Sequence, residues 1–104
     1  MRRGEVWWAT LPDPAGTRPV VLLSRDRAIE VRNAVIVAAV SRTVRGIPTE
    51  VPLGKKDGMP RKCAVNTDVL FTVPKDFLRE RMAVLAPARI RDMEEAVKFA
   101  MDLP

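Results

Sequence analysis

Histidine and tyrosine are absent from this chain of 104 residues, and cysteine occurs once. Without imidazole there is no Ser-His-Asp hydrolysis, no His-ligated zinc and no paired-histidine mechanism of the kind common among ribonucleases. Cys63, standing alone, offers neither a disulfide framework nor a cysteine-based metal site. No apolar run approaches the roughly 20 residues that a membrane span needs. The opening Met1-Arg2-Arg3-Gly4-Glu5 leads directly into a strand-like pattern, without the apolar stretch of a signal peptide. Neither a G-x-x-x-x-G-K-S/T phosphate loop nor a G-x-G-x-x-G turn is present. The expectation is a cytoplasmic protein without cofactor or metal, whose chemistry rests on Arg, Ser/Thr, Asp/Glu and backbone amides.

Apolar residues make up 47% of the chain, enough for one modest core, so a single domain over residues 1–104 is expected. The net charge is +5 and unevenly spread. Residues 1–62 carry 12 Lys/Arg against 6 Asp/Glu, a balance of +6, whereas residues 63–104 carry 6 against 7, a balance of −1. Thirteen of the 18 cations are Arg, whose planar fork matches phosphate oxygens. This bias favours a polyanionic partner, nucleic acid first, although a basic surface also serves solubility.

Residues Gly16 to Ser24, G-T-R-P-V-V-L-L-S, organise the rest. Pro19 favours an extended Arg18, and Val20 to Leu23 read as a strand buried on both faces. A guanidinium at the rim of such a strand has a rigid support from which to grip a phosphate, or is an ordinary surface Arg. Glu5 to Leu11 reads as a first strand. Its adjacent Trp7 and Trp8 face opposite ways, so one fills the core. The other stacks on a base, covers a subunit interface or is incidental. Ala34 to Val40 is the most apolar run and should be a central strand, ending where Ser41, Arg42 and Thr43 emerge together.

Ala28 to Asn33 is a polar connection with room for a helical turn. Thr49 to Leu53 is an edge strand or strand end because of Pro52. Gly54 to Lys62 is a glycine-bounded cationic loop that reads as a solvated connection. Cys63 to Val73 supplies one or two short strands, with polar Asn66, Thr67 and Asp68 between apolar flanks. Pro74 to Arg79 suits one helical turn, and Val84-Leu85 a short strand. Pro87 to Leu103 is the one strong helix, with Ile90, Met93, Val97, Ala100 and Met101 forming an apolar face.

One reaction needs little more than these residue types. The 2′-hydroxyl of RNA lies beside its own 3′-phosphate, so attack is intramolecular and gains from high effective molarity. The protein has to hold the backbone in line and stabilise charge on the phosphoryl oxygens. A guanidinium does the second task well and is a poor general base.

The opening R-R-G-E-V-W-W, then T-R-P-V-V-L-L-S, I-V-A-A-V-S and a helical tail ending in D-L-P, resembles the MazF/PemK/Kid toxins, endoribonuclease halves of bacterial toxin–antitoxin pairs. The likeness runs in order from Arg3 to Leu103. It implies a mainly β fold, a small SH3-like β-barrel with a C-terminal helix, assembled as a homodimer and bound by a MazE-like antitoxin. It also implies metal-independent cutting of single-stranded RNA, leaving a 2′,3′-cyclic phosphate (or 3′-phosphate) and a 5′-hydroxyl. By motif, Arg18 matches the catalytic Arg and Ser41 the catalytic Thr or Ser. Asn66 and Asp68 match a segment that helps bind RNA in some relatives. Thr17 and Arg42, flanking the catalytic pair, complete the expected RNA-binding set.

The chain departs from the family pattern in three places. The loop before Arg18 lacks the usual G-x-E-Q-x-G insert, Ser replaces the commoner Thr, and Phe71 stands where many relatives carry Arg. The loop and Phe71 bear on substrate selection more than on cleavage. Two rivals differ in what they need. A CcdB-like gyrase-binding toxin needs no Arg18–Ser41 pair, and a non-catalytic nucleic-acid-binding barrel binds RNA but leaves it uncut.

Overall fold

β-branched residues crowd three stretches, and these become the middle of a sheet. The computed structural model describes residues 1–104. It contains strands β1 (Glu5–Thr10), β2 (Thr17–Leu22), β3 (Ala34–Ser41), β4 (Glu50–Leu53), β5 (Cys63–Pro74) and β6 (Leu78–Val84), with helices α1 (Asp26–Val31) and α2 (Pro87–Met101). The strands form one antiparallel sheet in the order β4-β5-β3-β2-β1-β6.

Both faces of the sheet's centre are covered, as the uninterrupted apolar run of β2 predicts. Val21, Ala38, Val40 and Val65 join Met93 and Ala96 of α2 in one core. Val20, Leu22, Val37 and Ala39 join Ile29 of α1 and Leu78 in the other. The first core also takes Val51 and Leu53 from β4, at one edge, and Leu85, just beyond β6, at the other. Residues from opposite edges meet there because the sheet curls, giving the half-open SH3-like barrel that the resemblance implies.

The loop after β4 closes part of the gap. A side chain on Gly58, whose φ is +90°, would meet Ala83 Cβ at 3.0 Å, so the loop lies directly against β6. Gly4 (φ +89°) is held more tightly still, since a Cβ there would stand 2.5 Å from Cδ1 of Ile90 in α2.

Three sequence expectations change. Residues Leu78–Val84 form a full strand where only Val84-Leu85 were expected to be extended. The run Arg79-Glu80-Arg81 hides its strand character because β6 is an edge, and charge on an edge discourages pairing with other chains. Helix α2 stops at Met101, where Asp102 takes a left-handed turn (φ 55°), so Leu103 lies beyond it. Its buried residues are Met93 and Ala96, and Met101 is exposed rather than part of the packed face. β5 is a single strand of 12 residues, interrupted by a register shift against β3 that leaves residues 67–69 unpaired with it.

Candidate active site

β2 and β3 pair antiparallel with Val20 opposite Ala39, Val21 opposite Ala38 and Leu22 opposite Val37. The same register carried two residues further sets Arg18 across from Ser41, where both strands reach the rim. Both residues are half-buried and line one cleft of about 580 Å³. Thr17 and Arg42 line it too, so four of the six expected site residues meet there. Asn66 and Asp68 do not line it. They sit at the β5 register shift, where Asn66 Oδ1 accepts the Asp68 N–H (3.0 Å), with Asn66 paired across to Ala39 and Glu50.

The hydrogen bonds leave the two central groups ready for a ligand. Arg18 donates Nε–H to the carbonyl of Ala15 (2.9 Å), which orients the guanidinium and leaves its terminal nitrogens free. Ser41 Oγ accepts the Thr43 N–H (3.1 Å), which leaves its own O–H proton available to a ligand.

The rest of the cleft was less visible in the sequence. Trp7 packs beside the second core and donates its indole N–H to Glu5 (2.9 Å). Trp8 faces the other way, is 39% exposed and forms part of the cleft wall. Met59, Pro60 and Arg61 come from the cationic loop that reads as a solvated connection. Met59 is buried in the first core and pulls the loop inward, and that lone apolar residue among cations was the available signal.

Arg18, Arg42 and Arg61 therefore converge on one cleft, and no carboxylate lines it. None of the three is engaged in an ion pair with the chain's own acids. Cations left unpaired in a concave site favour an anionic ligand. Cys63 also borders the cleft, but burial, with the nearby charge of Asp57, pushes its thiol above the ordinary 9.0. It stays protonated at neutral pH and is a poor nucleophile.

Comparison with known proteins assigns the chain to a family. The chain is 42% identical over 101 residues to the probable endoribonuclease MazF5 of Mycobacterium tuberculosis, covering 96% of this chain and 92% of that protein. It is 41% identical over 93 residues to the probable endoribonuclease MazF2 of the same organism, covering 88% and 89%. Among solved structures, the M. tuberculosis toxin MazF-mt6 superposes with a TM-score of 0.88 at 30% identity, covering 96% of this chain and 98% of that one. A mycobacterial endoribonuclease in complex with its cognate antitoxin gives 0.89 at 28% identity, covering 100% and 97%. The family model for the PemK-like, MazF-like toxin of type II toxin–antitoxin systems matches residues 2–101, and the chain belongs to that family.

Proposed function

We propose that this protein is an endoribonuclease that cuts single-stranded RNA without a metal, using Arg18 and Ser41 on a substrate that supplies its own nucleophile. The observation that carries the reading is the convergence of three guanidinium groups outside any ion pair and the Ser41 hydroxyl on one cleft free of carboxylates. The RNA 2′-hydroxyl gives up its proton to solvent water as its oxygen attacks the adjacent phosphorus. The bond to the 5′-oxygen breaks and that oxygen takes up a proton, and a 2′,3′-cyclic phosphate and a 5′-hydroxyl result. The terminal nitrogens of Arg18 donate to a non-bridging oxygen and hold the charge that grows there. Arg18 also serves as the proton donor to the departing 5′-oxygen. Ser41 donates to the phosphate and fixes its orientation. Thr17, Arg42 and Arg61 hold the flanking backbone, and Trp8 offers a face for a base. Asn66 and Asp68 contact RNA further along its path.

The protein works in the cytoplasm as a homodimer, restrained by a MazE-like antitoxin. Exposed Ile36 and Val69 on neighbouring strands give the second copy an apolar surface. An acidic, extended antitoxin segment fits the cationic cleft. The test is incubation with a long single-stranded RNA in EDTA, followed by end-group analysis. New 5′-hydroxyl and cyclic or 3′-phosphate ends are expected. Intact RNA at high protein concentration contradicts the reading.

A further inference from the structure

The segment that follows Ser41 has no regular structure, and residues 42–48 are all exposed. Such a loop normally samples many conformations. This one is tied at its middle by a buried carboxylate. Glu50 Oε1 accepts the backbone N–H of Arg45 at 2.7 Å, and Oε2 accepts from Arg45 Nη1 at 3.1 Å. The Glu50 side chain is 1% exposed, whereas that of Arg45 is 53% exposed. The far end of the loop is fixed as well, because the Thr49 carbonyl accepts both the N–H (2.9 Å) and the hydroxyl (2.6 Å) of Thr67.

A carboxylate buried at the start of an edge strand is an expensive way to stabilise a fold. Desolvation consumes much of what the ion pair returns, and an apolar residue of similar size commonly serves stability as well or better. What Glu50 supplies that an apolar residue does not is a fixed loop. The chain of contacts runs from Glu50 to Arg45, back along three residues to Arg42, and to the Thr43 N–H that occupies Ser41 Oγ.

We propose that Glu50 is a positioning residue for RNA cleavage: it holds the Ser41–Arg45 segment so that the Ser41 hydroxyl and the Arg42 guanidinium stay directed at the phosphate. Glu50 acts through the loop and touches no reacting atom. The inference rests on the cleavage reading of the same cleft. Releasing the loop frees the Ser41 hydroxyl to rotate and lowers the rate of the chemical step, since orientation is what the site contributes there.

The test compares the wild type, Glu50→Leu, Glu50→Gln and Arg45→Ala. Each is assayed for single-turnover cleavage of an RNA oligonucleotide spanning a mapped cut, with thermal melting and limited trypsin digestion alongside. Glu50→Leu is expected to cleave about tenfold more slowly at saturating protein while remaining folded, and to be nicked faster after Arg42. Glu50→Gln keeps an acceptor for the Arg45 N–H and is expected to recover most of the rate, which a role through charge would not give, while the melting temperatures separate a loss of bulk stability. Wild-type rate and nicking in a folded Glu50→Leu overturn the proposal. Should Glu50→Leu fail to fold, Arg45→Ala decides: slower cleavage with faster nicking after Arg42 supports it, and wild-type behaviour overturns it. Failure of the wild type to cut RNA would instead overturn the cleavage reading itself.

Discussion

Arg18 and Ser41 each spend one hydrogen bond on the protein and keep the rest for a ligand. Arg18→Lys keeps a charge but loses the Nε–H bond to Ala15 and the planar fork, so single-turnover cleavage should fall about tenfold or more. Ser41→Ala should cost a similar factor, and Ser41→Thr should retain most of the rate because the hydroxyl is kept. Rates of either Arg18→Lys or Ser41→Ala equal to wild type would contradict these roles. A different residue contributes to stability in acid. Burial alone would raise the Glu5 pKa, but the Trp7 indole N–H, a backbone hydrogen bond at Arg2, the N-terminal ammonium and Arg81 together hold it below the ordinary 4.5. A carboxyl depressed in the folded state stabilises it fully above 4.5, and the contribution fades as pH falls through the folded value. Melting temperatures of the wild type should therefore drop further than those of Glu5→Gln between about pH 5 and pH 3, and parallel curves would contradict the assignment. The proposed catalytic pair was legible in the sequence because each member stands at the end of a buried run. Arg61 and Met59 were not, since their place in the cleft depends on a loop crossing to a strand far away in the chain.

Elements pack here through a few close approaches, and Gly4 is the tightest. Its positive φ strains any residue with a Cβ, and a methyl group there would push the Ile90 side chain aside, so Gly4→Ala should lower stability by about 1–3 kcal/mol, read from denaturant midpoints. Met93, fully buried where α2 meets the sheet, should cost about 2–5 kcal/mol when truncated to Ala. A loss below about 0.5 kcal/mol at either site would show that α2 is not seated as described. The central strands and α2 were readable because their apolar spacing matches strand and helix periods. β6 was not, because its outward residues are charged and its pairing with β1 is irregular at two points. The helical turn expected between Ala28 and Asn33 does form, but begins at Asp26, where Asp26 Oδ1 accepts the Arg3 N–H (2.7 Å). That contact spans 23 residues and leaves no local pattern.

Over the whole molecule, charge is arranged rather than merely in excess. The +6 balance of residues 1–62 includes the cations of the cleft, and RNA binding should weaken steeply as salt rises. In Arg61→Ala the slope of log affinity against log salt should fall by about one, without a change in the cleavage position. An unchanged slope would remove Arg61 from the RNA path. Inhibition by an acidic antitoxin segment should weaken over the same range of salt, and a neutral peptide that inhibits equally well at every salt concentration would contradict an electrostatic seat.

In the proposed mechanism the Arg18 guanidinium stabilises the phosphate as it is attacked. The direct measurement is single-turnover cleavage of one RNA oligonucleotide in EDTA by the wild type and by Arg18→Ala, with the melting temperature of each recorded. The expected result is a rate lower by about 100-fold or more in the variant at an unchanged melting temperature. Cleavage by a folded Arg18→Ala at the wild-type rate would contradict it.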